Sequence, residues 1–66
     1  MTITLINKKD KKEIEITENT TVEDILKKEE IPIETVVAKL NGVTVTEDEI
    51  VNDNDELEVI KVIYGG

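Results

Sequence analysis

Period-two alternation at both ends of the chain is the feature that most narrows what it can fold into. Residues 2–6 read Thr-Ile-Thr-Leu-Ile, which puts Ile3 and Leu5 on one face of an extended strand. Lys12-Glu-Ile-Glu-Ile-Thr17 alternates in the same way, gathering Ile14 and Ile16 while Glu13 and Glu15 face water. The polar stretch Asn7 to Lys11 separates the two runs, so they are expected as an antiparallel hairpin with a lysine-rich, solvated tip. At the other end, Glu56-Leu-Glu-Val-Ile-Lys-Val-Ile-Tyr64 is the longest strand-like run of all.

Only one segment changes period. Val22, Ile25 and Leu26 fall at i, i+3 and i+4 after a good N-cap, Thr21, which predicts a helix of about ten residues. Glu23 and Asp24 suit the positive end of its dipole, and Lys27 and Lys28 the negative end. Pro32 disfavours helical geometry at Ile31 and is expected to end it there. Thr35 to Leu40 is β-branched enough for a central strand, and Asn41-Gly42 before Val43-Thr-Val45 is a strong hairpin signal. Ile50-Val51 is expected to tuck under the fold, and Asp53-Asn-Asp55 to turn into the last strand.

The order is therefore β-β-α-β-β-β, an α+β chain with a mixed four- to five-stranded sheet crossed by one helix. A helical crossover lets the first and last strands lie side by side and parallel in the middle of the sheet. The expected core adds Ile31, Val36, Ala38, Leu40, Val45, Val51, Leu57 and Val59 to the aliphatics already named. Residues 1–64 read as one domain and residues 65–66 as a flexible tail.

Composition then excludes most chemistry. The chain has 66 residues, with no Cys and no His, so thiol catalysis, disulfides and the commonest general base are all missing. Its threonine hydroxyls have no base to activate them. A net charge of −8 repels nucleic acid and anionic membranes and favours a basic protein surface as partner. Tyr64 is the only aromatic residue, no apolar run could span a bilayer, and the N-terminus lacks the blocks of a signal peptide. A cytoplasmic protein is expected. The acidic stretch Glu47 to Glu56 fails as a calcium loop, because counting from Asp53 the fifth, sixth and twelfth positions are Leu57, Glu58 and Tyr64. No bound metal or cofactor is expected.

The remaining feature is the end, Tyr64-Gly65-Gly66. A bare backbone ending in a carboxylate can thread a channel too narrow for any side chain. Extended, residues 63–66 would reach about 13 Å beyond the body.

The order of elements and this ending resemble the β-grasp, ubiquitin-like fold, and more narrowly the prokaryotic sulfur carriers of thiazole and molybdopterin synthesis, the ThiS/MoaD family. Val51 to Gly66 carries the resemblance, with Asp53-Asn54-Asp55 in place of the family's Asp-Gly-Asp turn. Thr21 to Leu26 looks like the family's helix start and Leu40-Asn-Gly42 like its central hairpin. Thr46-Glu47 departs from the Pro-Arg common there, and Val62-Ile63-Tyr64 is nearer the thiazole-type ending.

The resemblance implies a co-substrate rather than an enzyme. A ubiquitin-activating-type adenylyltransferase, using ATP and magnesium, would adenylate the Gly66 carboxylate, with Gly65 and Tyr64 threading its channel. A persulfide donor would then supply sulfur, giving a thiocarboxylate for a thiazole, molybdopterin or tRNA-thiolation enzyme. The alternative is a ubiquitin-like modifier, conjugated through Gly66 to target lysines as in small archaeal modifiers. Strand parity adds a docking face. If Leu57 and Val59 point inward, Ile60 and Val62 join Val37 and Lys39 on the outer sheet face, an apolar patch with acids around it.

Overall fold

Aliphatic side chains two residues apart build one buried sheet face, and a short helix covers it. A computed structural model describes residues 1–62. The elements in order are β1 (Thr2–Asn7), β2 (Asp10–Glu15), α1 (Val22–Lys28), a 3-10 turn (Ile33–Thr35), β3 (Val36–Leu40), β4 (Val43–Val45) and β5 (Glu56–Lys61). The five strands lie in the order β2-β1-β5-β3-β4. β1 and β5 are parallel at the centre, with Thr4 opposite Glu56 and Leu5 opposite Leu57. The other neighbours are antiparallel.

Ile3, Leu5, Ile14, Ile16, Ala38, Leu40, Leu57 and Val59 meet Val22, Ile25 and Leu26 of α1 and the loop residue Val51, and all twelve are buried. Burying a side chain of this size contributes ~1.5–3 kcal/mol, so the aliphatic layer dominates the stability of a domain without staples. Ile31, Val36 and Val45, expected inside, are only partly buried at the margin of this cluster, and Ile33 joins them there.

Four local expectations are corrected. The first hairpin turns through Lys8-Lys9 alone, because Asn7 pairs with Asp10 and Lys11 and Lys12 belong to β2. Lys8 supplies the positive φ (59°) that such a tight turn needs, without the usual Asn-Gly signal. α1 stops at Lys28, before Pro32 has any influence. Its end is a Schellman motif: the Glu30 N–H donates to the Lys27 carbonyl at 3.1 Å and the Ile31 N–H to Leu26 at 2.8 Å. Glu30 holds the left-handed position (φ 58°) that glycine usually fills. Of Ile50-Val51 only Val51 tucks in, while Ile50 stays exposed. The last strand ends at Lys61 rather than Tyr64, and residues 63–66 lie outside the described residues.

The start of α1 is fully satisfied. Thr21 Oγ1 accepts from the Asp24 N–H and Asp24 Oδ2 accepts from the Thr21 N–H, a reciprocal capping box. The next free donors, the Val22 and Glu23 N–H groups, reach the carbonyls of Glu49 and Glu47 at 2.9 and 2.8 Å. The acidic loop thus serves the helix with its backbone.

Candidate functional site

β5 and β3 present a second face opposite the core, and it leads to the C-terminal segment. With Leu57 and Val59 buried, parity sends Glu58 and Ile60 outward. Ile60 sits directly opposite Val37 and Glu58 opposite Lys39. Val37, Lys39 and Val62 are half-buried and Ile60 is exposed. The Val62 N–H donates to the Thr35 carbonyl at 2.8 Å, which holds the chain against β3 one residue past the end of β5.

Ile6 on β1 is a further apolar member of this face, in register with Glu58 and half-buried. Its signal was present in the sequence: Thr2, Thr4 and Ile6 share the outward parity of β1, and only the last is apolar.

Charge close to Ile60 is mixed in sign. A shallow depression beside Ile60 is lined by Lys8, Glu58 and Lys61. Glu58 lies two residues before Ile60 on the same face of β5. Glu13 and Glu56 flank Thr4 further along the sheet, four residues from Ile60 on β5, or about 13 Å. The tail root is mixed in sign because the lysine-bearing hairpin tip comes up beside the end of β5.

The acidic stretch serves the fold. Asp53 Oδ1 accepts from the Thr2 N–H at 2.8 Å, and Asp55 accepts from the Asn52 N–H and the Asn41 side chain. Asn54 takes the left-handed turn position (φ 71°), the exchange for glycine that the sequence predicts. No cluster of metal-ligating side chains occurs among the described residues, and no helix among them is long and apolar enough to cross a membrane. Tyr64, Gly65 and Gly66 lie outside the described residues.

Comparison with solved structures places the same architecture in several archaeal proteins. A Pyrococcus furiosus protein described as molybdopterin converting factor subunit 1 superposes with a TM-score of 0.77 at 20% identity, over 94% of this chain and 98% of that one. SAMP1 from Haloferax volcanii gives 0.77 at 15% identity with both chains fully covered. The ubiquitin of Caldiarchaeum subterraneum gives 0.72 at 22% identity, over 100% of this chain and 98% of the other. These likenesses establish the β-grasp, ubiquitin-like fold. The model of the ThiS family matches residues 3–66, nearly the whole sequence including Gly65 and Gly66. With that match and the β-grasp fold together, the chain belongs to the ThiS family of small carrier proteins.

Proposed function

We propose that this chain is a cytoplasmic sulfur carrier, activated at the Gly66 carboxylate. The observation that carries this reading is the family match running through Gly66, on a chain whose last strand ends beside an apolar sheet face. A carboxylate is a poor electrophile until it acquires a leaving group. An adenylyltransferase of the ubiquitin-activating type, with ATP and magnesium, would join AMP to Gly66 and release pyrophosphate. The terminal sulfur of a donor's persulfide would then attack the acyl carbon and expel AMP. A thiolate, from the donor or an added small thiol, would then attack the donor-side sulfur of the resulting acyl disulfide, forming a new disulfide and releasing a thiocarboxylate for a sulfur-accepting enzyme of thiazole, molybdopterin or tRNA-thiolation type. Gly65 and Tyr64 would occupy the activating channel while Val37, Lys39, Ile60 and Val62 dock outside it. No side-chain thiol competes for the cargo, since the chain has no Cys.

The fold shared with SAMP1 and an archaeal ubiquitin supports a second reading, conjugation of Gly66 to target lysines through an isopeptide bond. Intact mass of the protein from its native host separates the two. Exchange of one terminal oxygen for sulfur supports the carrier, and high-mass conjugates support the modifier. An unaltered chain under all growth conditions overturns both.

A further inference from the structure

The two edges of the sheet are treated differently by this sequence. β2 closes one edge with Asp-Lys-Lys-Glu-Ile-Glu, and its Lys12 is tied to Glu29 at 2.7 Å. Charges of this kind discourage added strands. β4 closes the other edge with Val43-Thr44-Val45, which carries no charge, and Val43 is 64% exposed. Leu40 pairs with Val43 and Ala38 with Val45 around the two-residue turn Asn41-Gly42. The residues flanking such a turn exchange both ladder bonds, so the intervening Thr44 points its N–H and C=O away from β3, toward the open edge.

Val43 and Val45 share the helix side of the sheet with their partners Leu40 and Ala38. Between them and α1 runs a groove lined by Val22, Leu26, Ile33, Val36 and Val45. Its rim carries Glu23, Glu47 and Asp48, with no lysine among the lining residues. An apolar floor, an acidic rim and a free strand edge thus coincide on the side of the sheet opposite Ile60.

We propose that the β4 edge and its groove dock an extended segment of a partner protein, one with alternating apolar residues and a Lys- or Arg-containing flank. The segment adds as a sixth strand, exchanging backbone hydrogen bonds with Thr44. Its alternate side chains fall beside Val43 and Val45, over the groove, and its basic flank lies over Glu47 and Asp48. A second copy of this chain fits worse, because pairing two β4 edges brings two acidic rims together. Val37 borders both this groove and the outer face, while the β4 edge itself lies away from Ile60, and this proposal does not depend on the sulfur-carrier reading.

The test is selection of a phage-displayed random dodecapeptide library on the full chain, followed by NMR titration with the enriched peptide. The expected outcome is enrichment of apolar residues in alternation beside Lys or Arg. Shifts should centre on residues 43–48 and the facing side of α1, with the Thr44 amide becoming protected from exchange. Val43→Lys should weaken binding by about tenfold or more while leaving the spectrum folded, and Glu47→Lys with Asp48→Lys should weaken it less. Should Val43→Lys unfold the chain, Val43→Thr replaces it, and unchanged affinity in that variant overturns the proposal. Absence of enrichment, acidic consensus sequences, shifts confined to the Ile60 face or the β2 edge, or concentration-dependent dimerisation through β4 would each overturn it.

Discussion

Asn41 and Asp55 join two turns that are distant in sequence: Asn41 Nδ2 donates to Asp55 Oδ1 at 2.9 Å. The other end of the same amide, Asn41 Oδ1, accepts from the Glu56 N–H at 2.9 Å, while Asn41 itself holds φ 52°. One residue therefore shapes the β3–β4 turn and anchors the start of the central strand. Asn41→Ala loses both hydrogen bonds and strains the turn, and should cost about 2 kcal/mol in urea denaturation. Asn41→Gly relieves the strain and should cost about half as much.

The helix terminus offers a gain. Glu30 occupies the left-handed position of the Schellman motif, where a Cβ is unfavourable. Glu30→Gly should raise stability by about 1 kcal/mol, seen as a higher denaturation midpoint with an unchanged slope. A fall in stability would show that the Glu30 side chain makes a compensating interaction.

The fold makes Asp48 more acidic than a free aspartate. The Thr46 hydroxyl donates to its carboxylate, and its own backbone N–H adds to this, so its pKa lies below the ordinary 3.8. The ionised form is the favoured one. Its stabilising effect is thus fully present above the unfolded pKa and is lost as pH falls through the lowered folded value. Titration by carboxyl carbon NMR should place Asp48 below the ordinary aspartate value, and Thr46→Val should move it back up.

The outer face makes a prediction that separates folding from binding. Ile60 is exposed opposite Val37, so Ile60→Asp should leave thermal stability nearly unchanged. Its affinity for the host's activating adenylyltransferase should fall by ~1–3 kcal/mol. Unfolding of the variant would contradict the observed strand parity, and normal activation would remove the patch from the docking surface.

Deleting Gly66 should keep the core and abolish ATP–pyrophosphate exchange with that enzyme. Gly65→Val should also fail, by filling the channel and restricting the backbone. Exchange by the truncated chain would defeat the carrier reading.

Much of this was legible because period two fixes faces without any knowledge of partners. Ile3, Leu5, Ile14, Ile16, Leu57 and Val59 all point as their alternation requires. The outward placement of Val37 and Ile60 follows from the same parity. Less legible were the ends of elements. α1 ends through Glu30, whose residue type carries no stop signal, whereas the stop signal Pro32 lies beyond the helix end. The Lys8-Lys9 turn was hidden for the same reason, a positive φ held by a residue that does not advertise it. Ile50 and Val51 are equally apolar, and only the bridge between Thr21 and Ile50 decides which of them enters the core. Helix capping by the Glu47 and Glu49 carbonyls could not be read at all, because every residue has a carbonyl.

The last in sequence of the five described strands is also the middle strand of their sheet. Until β5 leaves the ribosome, β1–β2 and β3–β4 are two hairpins with nothing between them, and two-stranded hairpins are marginal alone. Folding of the sheet must then wait for release of β5, and closure pairs it with β1 far earlier in the sequence, a topology that slows the search. A chain stalled or cut before residue 56 would expose its aliphatic face to proteases. Structural integrity is thereby coupled to completed translation of β5, the strand that leads to Gly65 and Gly66.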